Sequence, residues 1–304
     1  MWTFGGTREL PADLWFLGFL ERELGAEGYD VITDHNISLY GAPLLKRYKV
    51  LLSGSHPEYP TYSMLNAYAS FLESGGHFMY LGGNGYYWVT AHDPTRPHRI
   101  EVRRANQGCR TFGLPPGNWH HSMTGEQGGL WRARGRPPNQ IFGLGSCALG
   151  VGKGAAYGIT DAARGDPRLS FLFHGAGLES ASIIGDFGLV QGAASGDEID
   201  RLDYSLGTPQ NAVIIASTKL AGGHSDDYFL FNEDIMFPMI KTVGTTSEKI
   251  RSDLIYFETS SGGAVFSVGS INWVGAMAWK GYQNNVAQIT ANALHEFIRR
   301  AQLK

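Results

Sequence analysis

The segment RYKVLLSGSHPEYPTYSMLNAYASFLESGGHFMYLGG, residues 47–83, decides the fold. Residues 47–54 and 77–83 are apolar enough to form strands that are buried on both faces. Between them, residues 61–73 carry apolar side chains at helical spacing, and a pair of glycines ends the helix. A strand, a helix and a strand with short connections predict a βαβ unit with parallel strands. We therefore expect an α/β fold with a doubly wound sheet of the flavodoxin type.

The rest of the chain carries less regular patterns. Residues 89–210 are irregular and rich in Gly, Pro, His and Arg, which predicts a loop-rich insertion within a single domain that covers residues 1–304. Helices are also expected at residues 11–24 and 285–300, and strands at residues 29–34, 212–217, 227–231, 253–258 and 264–268. The last two strands are predicted to form a β-hairpin that turns at residues 260–263.

The composition is that of a globular protein and argues against several classes of function. Hydrophobic residues make up 43% of the chain and charged residues 17%, and the net charge is −3. Without a basic surplus, we expect no nucleic-acid partner and no membrane surface. Residues 259–279 carry no charge, but they contain too many Ser, Gly and Asn residues for a membrane span. The N-terminus lacks a signal-peptide pattern and the two cysteines provide no disulfide framework, so we expect a soluble, cytoplasmic protein.

His56 and Glu58 follow the first strand of the βαβ unit. Ligands of open α/β sheets bind beyond the carboxyl ends of the strands, and side chains two positions apart in extended chain point to the same side. An imidazole and a carboxylate form a reasonable half of a transition-metal site. In the alternative interpretation, Pro57 simply favours a turn and Glu58 stabilises the positive end of the following helix.

Asn84 follows the second strand, within the sequence GGNG at residues 82–85. If the two strands are neighbours, Asn84 faces the same crevice as His56, where its amide can orient a ligand or polarise a carbonyl group. The alternative is an Asn-Gly turn that requires a positive φ angle.

An acidic run offers a further candidate, because a carboxylate near a metal-bound water can act as a general base. A solvated acidic loop is the alternative interpretation. The run contains Asp197, Glu198, Asp200 and Asp203.

Three other motifs are weaker candidates. The sequence WHH at residues 119–121 and the arginines that follow it predict a cleft wall or an interface, because adjacent histidines point in different directions. GLGSCALG, residues 143–150, is similar to a nucleophile elbow around Cys147, but Leu149 occupies a position where the elbow needs glycine. We therefore favour a buried structural cysteine. His224, Asp226 and Asp227 are either ligands or a capped turn before a strand, and we favour the turn.

Several of these segments together resemble one family. LLSGSHPEY (residues 51–59), FLESGGHFMYLGGNGYYWVT (71–90), HHSMTGEQGGLWR (120–132) and GHSDDY (223–228) resemble the C-terminal part of the large, or beta, subunit of N,N-dimethylformamidase. The resemblance runs from about residue 9 to the C-terminus. It implies a glutamine-amidotransferase-like α/β fold with a mostly parallel sheet and without a working cysteine nucleophile.

The resemblance also implies a reaction and a site. Members of this family hydrolyse N,N-dimethylformamide to dimethylamine and formate with a mononuclear, non-haem iron that a tyrosine, a histidine and a glutamate hold. The histidine and glutamate fall on His56 and Glu58, and a supporting asparagine and glutamate fall on Asn84 and Glu198. A tyrosinate and a glutamate are hard anionic ligands, which suit ferric iron. A small helical subunit and further, homo-oligomeric assembly are expected as partners.

One departure from the family concerns the tyrosine ligand. In the family it precedes the His-x-Glu pair by more chain than is present here, and Tyr29, Tyr40 and Tyr48 do not occupy the matching place. The chain also opens with a helix, whereas doubly wound domains commonly open with a strand. We interpret the chain as a fragment or a shortened relative that alone binds iron poorly. Two alternatives stay open: a cysteine amidotransferase-like hydrolase that uses Cys147, and a non-catalytic binding or assembly module.

Overall fold

The computed structural model describes residues 9–93, 95–96, 98–105, 107, 115–178, 182–230 and 242–302. Within these residues the chain forms helices and strands that pack into a mixed α/β fold. The helices are α1 (Leu10–Leu24), α2 (Asp34–Leu45), α3 (Tyr62–Glu73), α4 (Asn139–Phe142), α5 (Asp161–Gly165), α6 (Ser170–Phe173), α7 (Trp273–Met277) and α8 (Asn285–Gln302). The strands are β1 (Val50–Ser53), β2 (His77–Tyr80), β3 (Thr90–His92), β4 (Ile100–Val102), β5 (Leu144–Gly150), β6 (Tyr157–Ile159), β7 (Ile183–Ile184), β8 (Glu198–Leu202), β9 (Val213–Ser217), β10 (Tyr228–Leu230), β11 (Asp253–Glu258) and β12 (Ala264–Ser267).

The main sheet is mixed. In the described part of the chain it contains seven strands in the order β1-β2-β12-β11-β9-β6-β7. The pairs β1–β2 and β2–β12 are parallel, as the βαβ unit predicts, whereas the pairs from β12 to β7 are antiparallel. The expectation of a mostly parallel sheet is therefore wrong beyond β12. For the pair β11–β12 the physical reason is the predicted hairpin, whose short turn reverses the chain, and Thr259 N donates to Gly263 O at 2.9 Å across it.

Apolar layers cover both faces of this sheet. Successive residues of a strand point to opposite faces, so Met79 and Phe78 of β2 enter different clusters of buried side chains. Met79 packs in the cluster that contains the buried faces of α1 and α8, and Phe78 packs with α3. The described residues therefore form a three-layer arrangement, and the doubly wound fold of the flavodoxin type stays a prediction. The likeness to glutamine amidotransferases stays a prediction.

The opening of the chain differs from the prediction. Helix α1 and helix α3 form where they were expected, but residues 29–33 form no strand and α2 begins at Asp34. A capping box starts α2: the hydroxyl of Thr33 accepts a hydrogen bond from Asn36 N at 3.2 Å, and Thr33 N donates to the Asn36 side chain at 3.1 Å. The predicted strand at residues 29–34 was therefore wrong, because local capping and the packing of Ile37 and Leu45 favour a helix.

Residues 89–210, predicted as a loop-rich insertion, supply strands β3 to β8 among their described parts. Strands β6 and β7 complete one edge of the main sheet. Strands β5 and β8 join β10 in a separate sheet, for which the described residues give the order β10-β5-β8. β10 ends at Leu230, and residue 231 of the predicted strand 227–231 lies outside the described residues. This second sheet brings β8 towards the ends of β1 and β2. Over the residues described here, we find no helix with the length and apolarity that crossing a bilayer requires.

Candidate metal centre

The loops that follow β1 and β2 lie side by side. Leu81 N donates to Ser53 O at 3.0 Å, and Gly83 N donates to Ser55 O at 3.1 Å, so the backbone pairing continues past the ends of the strands. Farther on, Tyr86 N donates to Pro57 O at 2.7 Å. The two loops are thus held together along their length, which places the side chains of the first loop beside those of the second.

Three potential ligands converge where these loops meet β8. His56 Nε2 lies 2.9 Å from Glu198 Oε2 and 3.5 Å from Glu58 Oε2. Ligand atoms of His56, Glu58 and Glu198 all lie within 4.8 Å of one another. An imidazole nitrogen and two carboxylate oxygens in this proximity match the donor set of first-row transition-metal sites. The acidic run is therefore not a solvated loop, because it delivers Glu198 to the site.

Asn84 joins the same cluster through its side-chain amide. Its Nδ2 lies 2.7 Å from Glu198 Oε2, 3.3 Å from Glu58 Oε1 and 3.5 Å from His56 Nε2. Asn84 is almost fully buried, and its Oδ1 receives no hydrogen bond from the residues that the structure describes. A buried acceptor without a donor is uncommon, so Oδ1 is an available position for a ligand that donates a proton or carries positive charge.

The backbone of Asn84 is fixed by Asp200, two residues beyond Glu198. Asn84 has a φ angle of 46°, in the left-handed region, and its backbone N donates to Asp200 Oδ1 at 2.7 Å. Asp200 Oδ2 accepts from the Tyr80 hydroxyl at 2.8 Å, and that hydroxyl in turn accepts from Gly85 N at 2.7 Å. The Asn-Gly turn predicted as the alternative is thus real, and it presents the amide to the cluster.

The protonation of the site reflects its burial and its carboxylates. Burial lowers the pKa of His56, but the 2.9 Å contact with Glu198 and the nearby carboxylates of Glu9 and Glu58 outweigh it and raise the pKa to about 10. Burial raises the pKa of Glu58 above its ordinary value and that of Asp200 to about 7. At neutral pH the imidazole ring is therefore protonated and donates to the carboxylates. A metal bound to Nε2 would take the place of this proton.

Other side chains complete the surroundings. Trp88 Nε1 donates to Glu58 Oε1 at 3.1 Å, and the Tyr59 hydroxyl also donates to Glu58. Burial and the Glu58 charge raise the pKa of Tyr59 to about 12. On the opposite side of the ring, His56 Nδ1 lies 3.9 Å from Glu9 Oε1. The sequence offered no signal for Glu9, which lies just before α1 and far from His56 along the chain.

A cavity of about 970 Å³ reaches the site from one side. Glu9, Ser55, His56 and Pro57 form one end of it, and its other walls come mainly from α1, α2, β1 and residues 28–32. Its size lies in the range of small-molecule sites, and of the three potential ligands only His56 lines it, beside Glu9.

Cys147 lies outside this cluster, as predicted. It is fully buried within β5, and its Sγ lies 3.3 Å from Ile199 O and 3.3 Å from Arg251 O. Burial raises the pKa of the thiol to about 12, so it stays protonated at neutral pH. The strand geometry also differs from a nucleophile elbow. The other cysteine, Cys109, lies outside the described residues.

The remaining candidates also lie apart from the three-ligand cluster. His121 is buried and His120 exposed, and Glu126, near them in sequence, pairs with Arg134 at 3.0 Å. His224 is buried beside Ser195, with 3.1 Å between Nε2 and Oγ. The turn predicted before β10 is confirmed: Tyr228 N donates to Ser225 O at 3.0 Å, and Asp227 N donates to Ser225 Oγ at 3.4 Å. Asp203 pairs with Arg201 at 2.6 Å.

The fold and the cluster define a mixed α/β protein with a candidate His/Glu/Glu metal centre, and sequence comparison identifies its family. A family model described as "N,N-dimethylformamidase beta subunit-like, C-terminal" matches residues 2–286. The chain is 40% identical over 296 residues to the N,N-dimethylformamidase beta subunit of an Alcaligenes species, and 38% identical over 296 residues to that of Paracoccus aminophilus. The chain therefore belongs to this family, which confirms the resemblance seen in the motifs. Each match covers 97% of the chain and 38% of the relative, so the chain spans less than half the length of these relatives.

Proposed function

We propose that this chain is the metal-binding part of an amide hydrolase that acts on small N-substituted amides such as N,N-dimethylformamide. The observation that carries the proposal is the convergence of His56, Glu58 and Glu198 within 4.8 Å in a relative of N,N-dimethylformamidase beta subunits. The products would be dimethylamine and formate.

The residues present fit a mononuclear, non-haem ferric iron. His56 and Glu58 would hold it, together with the tyrosine that the family resemblance implies as a third ligand. Nitrogen and carboxylate oxygen donors suit iron, and the buried Oδ1 of Asn84, which receives no hydrogen bond from the described residues, can face a metal-bound group. When bound, iron supplies Lewis acidity, which polarises the amide carbonyl and acidifies water.

The chain's own residues carry the proton transfers. The carboxylate of Glu198 accepts a proton from the attacking water while the new carbon–oxygen bond forms at the amide carbon. It then gives this proton to the amide nitrogen as the carbon–nitrogen bond breaks, so that dimethylamine leaves. Asn84 orients Glu198 through the 2.7 Å hydrogen bond from its Nδ2 and presents Oδ1 to the water. Trp88 and Tyr59 hold Glu58 in place.

The whole protein's assembly is part of the same proposal. The relatives are named as beta subunits, which supports an assembly with a second kind of subunit. A small helical subunit and homo-oligomeric assembly remain the expectation for this chain, as do a glutamine-amidotransferase-like fold and a cytoplasmic location.

Hydrolysis of N,N-dimethylformamide tests the proposal. The protein is assayed as its gene encodes it, by the release of dimethylamine and formate, with Glu198→Gln as the variant and Glu73→Gln, an exposed residue at the end of α3, as the matched control. Removal of the general base is expected to lower kcat by roughly 10²–10⁴-fold. Equal rates in wild type and Glu198→Gln would overturn the assignment of Glu198, and no hydrolysis by the wild type would favour a non-catalytic assembly module.

A further inference from the structure

Glu198 reaches the site from a strained turn. The preceding residue, Asp197, has a φ angle of 59°, in the left-handed region, which costs free energy for residues other than glycine. This turn directs the first residue of β8 towards His56 and Asn84. Its conformation therefore needs support from the surrounding structure.

Gln191 supplies that support through its side-chain amide. Its Oε1 accepts hydrogen bonds from Asp197 N at 2.8 Å, from the Tyr228 hydroxyl at 2.8 Å and from Asn272 Nδ2 at 3.0 Å. Its Nε2 donates to Gly150 O at 3.1 Å, and Gly150 N donates to Asp197 O at 2.8 Å. Both backbone groups of Asp197 are thus held, one by Gln191 directly and the other by Gly150, which Gln191 also contacts.

Gly196 makes this close approach possible. A Cβ at this position would clash with Gln191 Oε1 and with Asn272 Nδ2, and would lie 2.8 Å from the Tyr228 hydroxyl. The absence of a side chain at residue 196 therefore allows the amide of Gln191 to reach the turn.

We infer that Gln191 is a positioning residue for Glu198: it fixes the turn at Asp197 and thereby the orientation of the Glu198 carboxylate. Gln191 touches neither His56 nor the substrate position, and it acts through the backbone of Asp197. The inference rests on the proposed function of the site for its chemical consequence, but the support of the turn is independent of any metal.

Amide hydrogen exchange at Asp197 tests whether Gln191 holds the turn, and the measurement needs no bound metal. Gln191→Met keeps the length of the side chain and removes the acceptor, Gln191→Glu keeps acceptor oxygens, and Gln288→Met is the matched control on α8. A buried N–H without a partner is costly, so exchange at Asp197 should be roughly tenfold faster or more in Gln191→Met. We expect near-wild-type exchange in Gln288→Met and partial rescue in Gln191→Glu. Should Gln191→Met fail to fold, Gln191→Asn, which withdraws the amide by one methylene, replaces it.

Unchanged exchange in Gln191→Met or Gln191→Asn would overturn the inference, as would acceleration of the same size in Gln288→Met. A double-variant cycle then tests the action through Glu198. Binding of Co²⁺ and kcat are measured for Gln191→Met, Glu198→Gln and the combined variant. We expect Gln191→Met to weaken Co²⁺ binding and to lower kcat. The combined variant should be no worse in either quantity than Glu198→Gln alone.

The double-variant cycle distinguishes a failure of the role assigned to Gln191 from a failure of the role assigned to Glu198. Additive losses would mean that Gln191 acts elsewhere, which would overturn its role as a positioning residue. If Glu198→Gln itself changes neither Co²⁺ binding nor kcat, the proposed role of Glu198 as general base fails, whereas the exchange data still decide whether Gln191 holds the turn.

Discussion

His56 is the residue on which the site depends most. Its Nε2 faces two carboxylates, and its pKa is raised to about 10 despite its burial. A metal ion at Nε2 has to displace the ring proton, and the same carboxylates that stabilise an imidazolium would also stabilise the bound cation. The sequence predicted His56, Glu58 and Asn84 as one crevice, and the structure brings these side chains together. Their catalytic roles stay predictions.

Replacement of the buried cysteine separates the two hydrolase hypotheses. Cys147→Ser keeps a donor for Ile199 O and Arg251 O, and the thiol is protonated and buried, so we expect kcat and bound iron to change by no more than about twofold. Both are measured beside the thermal midpoint, which reports any packing defect. A loss of several orders of magnitude in kcat with an unchanged midpoint would instead identify a nucleophile.

At the scale of elements, the parallel strands β1 and β2 position the site because their carboxyl ends meet at one edge of the sheet. Helix α3 connects them, and Thr61 caps its start, because the Thr61 hydroxyl accepts from Met64 N at 3.3 Å. Because this cap follows Glu58 by a few residues, the start of the helix limits the length of the ligand-bearing loop. The turn before β10 contains a buried histidine, His224.

His224 in that turn predicts acid sensitivity. Burial, with a contribution from Lys219, lowers its pKa to about 3 from an ordinary 6.5. Between these values the unfolded chain binds a proton that the folded chain does not, so the free energy of unfolding falls as the pH falls through this window. Between pH 7.5 and pH 5 the free energy of unfolding should therefore fall less in His224→Gln than in wild type. We expect the two decreases to differ by on the order of 2 kcal/mol. Denaturant unfolding at several pH values measures this, with exposed His98→Gln as the control. Parallel pH profiles for wild type and His224→Gln would contradict the prediction.

At the scale of the whole molecule, the site forms where the second sheet meets the main sheet. Main-sheet strands β1 and β2 lead to His56, Glu58 and Asn84, and β8 of the second sheet provides Glu198. Close backbone contact joins the two parts, because a Cβ at Gly83 would clash with the carbonyl oxygen of Glu198 and lie 2.9 Å from Ile271 N. The geometry of the centre therefore depends on the docking of the sheets.

Gly83→Ala should loosen this docking. The added methyl group meets backbone that cannot move independently, so we expect a loss of about 1–3 kcal/mol in the free energy of unfolding together with weaker metal binding. Gly165→Ala, where a Cβ meets nothing within 4 Å, is the matched control and should be neutral or slightly stabilising. Denaturant unfolding and metal titration give the two quantities. Equal stability of the two variants would show that the sheets do not meet tightly at Gly83.

The parts of the fold that the sequence could predict are those with strong local patterns. The βαβ unit, the hairpin of β11 and β12 and the terminal helix carry strong local patterns, and all form as expected. Glu198 could not be placed from spacing, because β8 reaches the site through a separate sheet whose strands lie far apart in the chain. Residues 29–34 were misassigned since six residues of mixed polarity do not separate a strand from a capped helix start. Thr33 and Asn36 form the capping box that marks the start of α2.

The iron content of the protein as its gene encodes it tests whether His56 belongs to an iron-binding centre. Iron per chain is measured in wild type, in His56→Ala and in His98→Ala as the exposed control. We expect close to one iron per chain in wild type and in His98→Ala. We expect almost none in His56→Ala, because this substitution removes the imidazole nitrogen that the proposed centre uses as a ligand. Equal iron in wild type and His56→Ala would contradict this expectation.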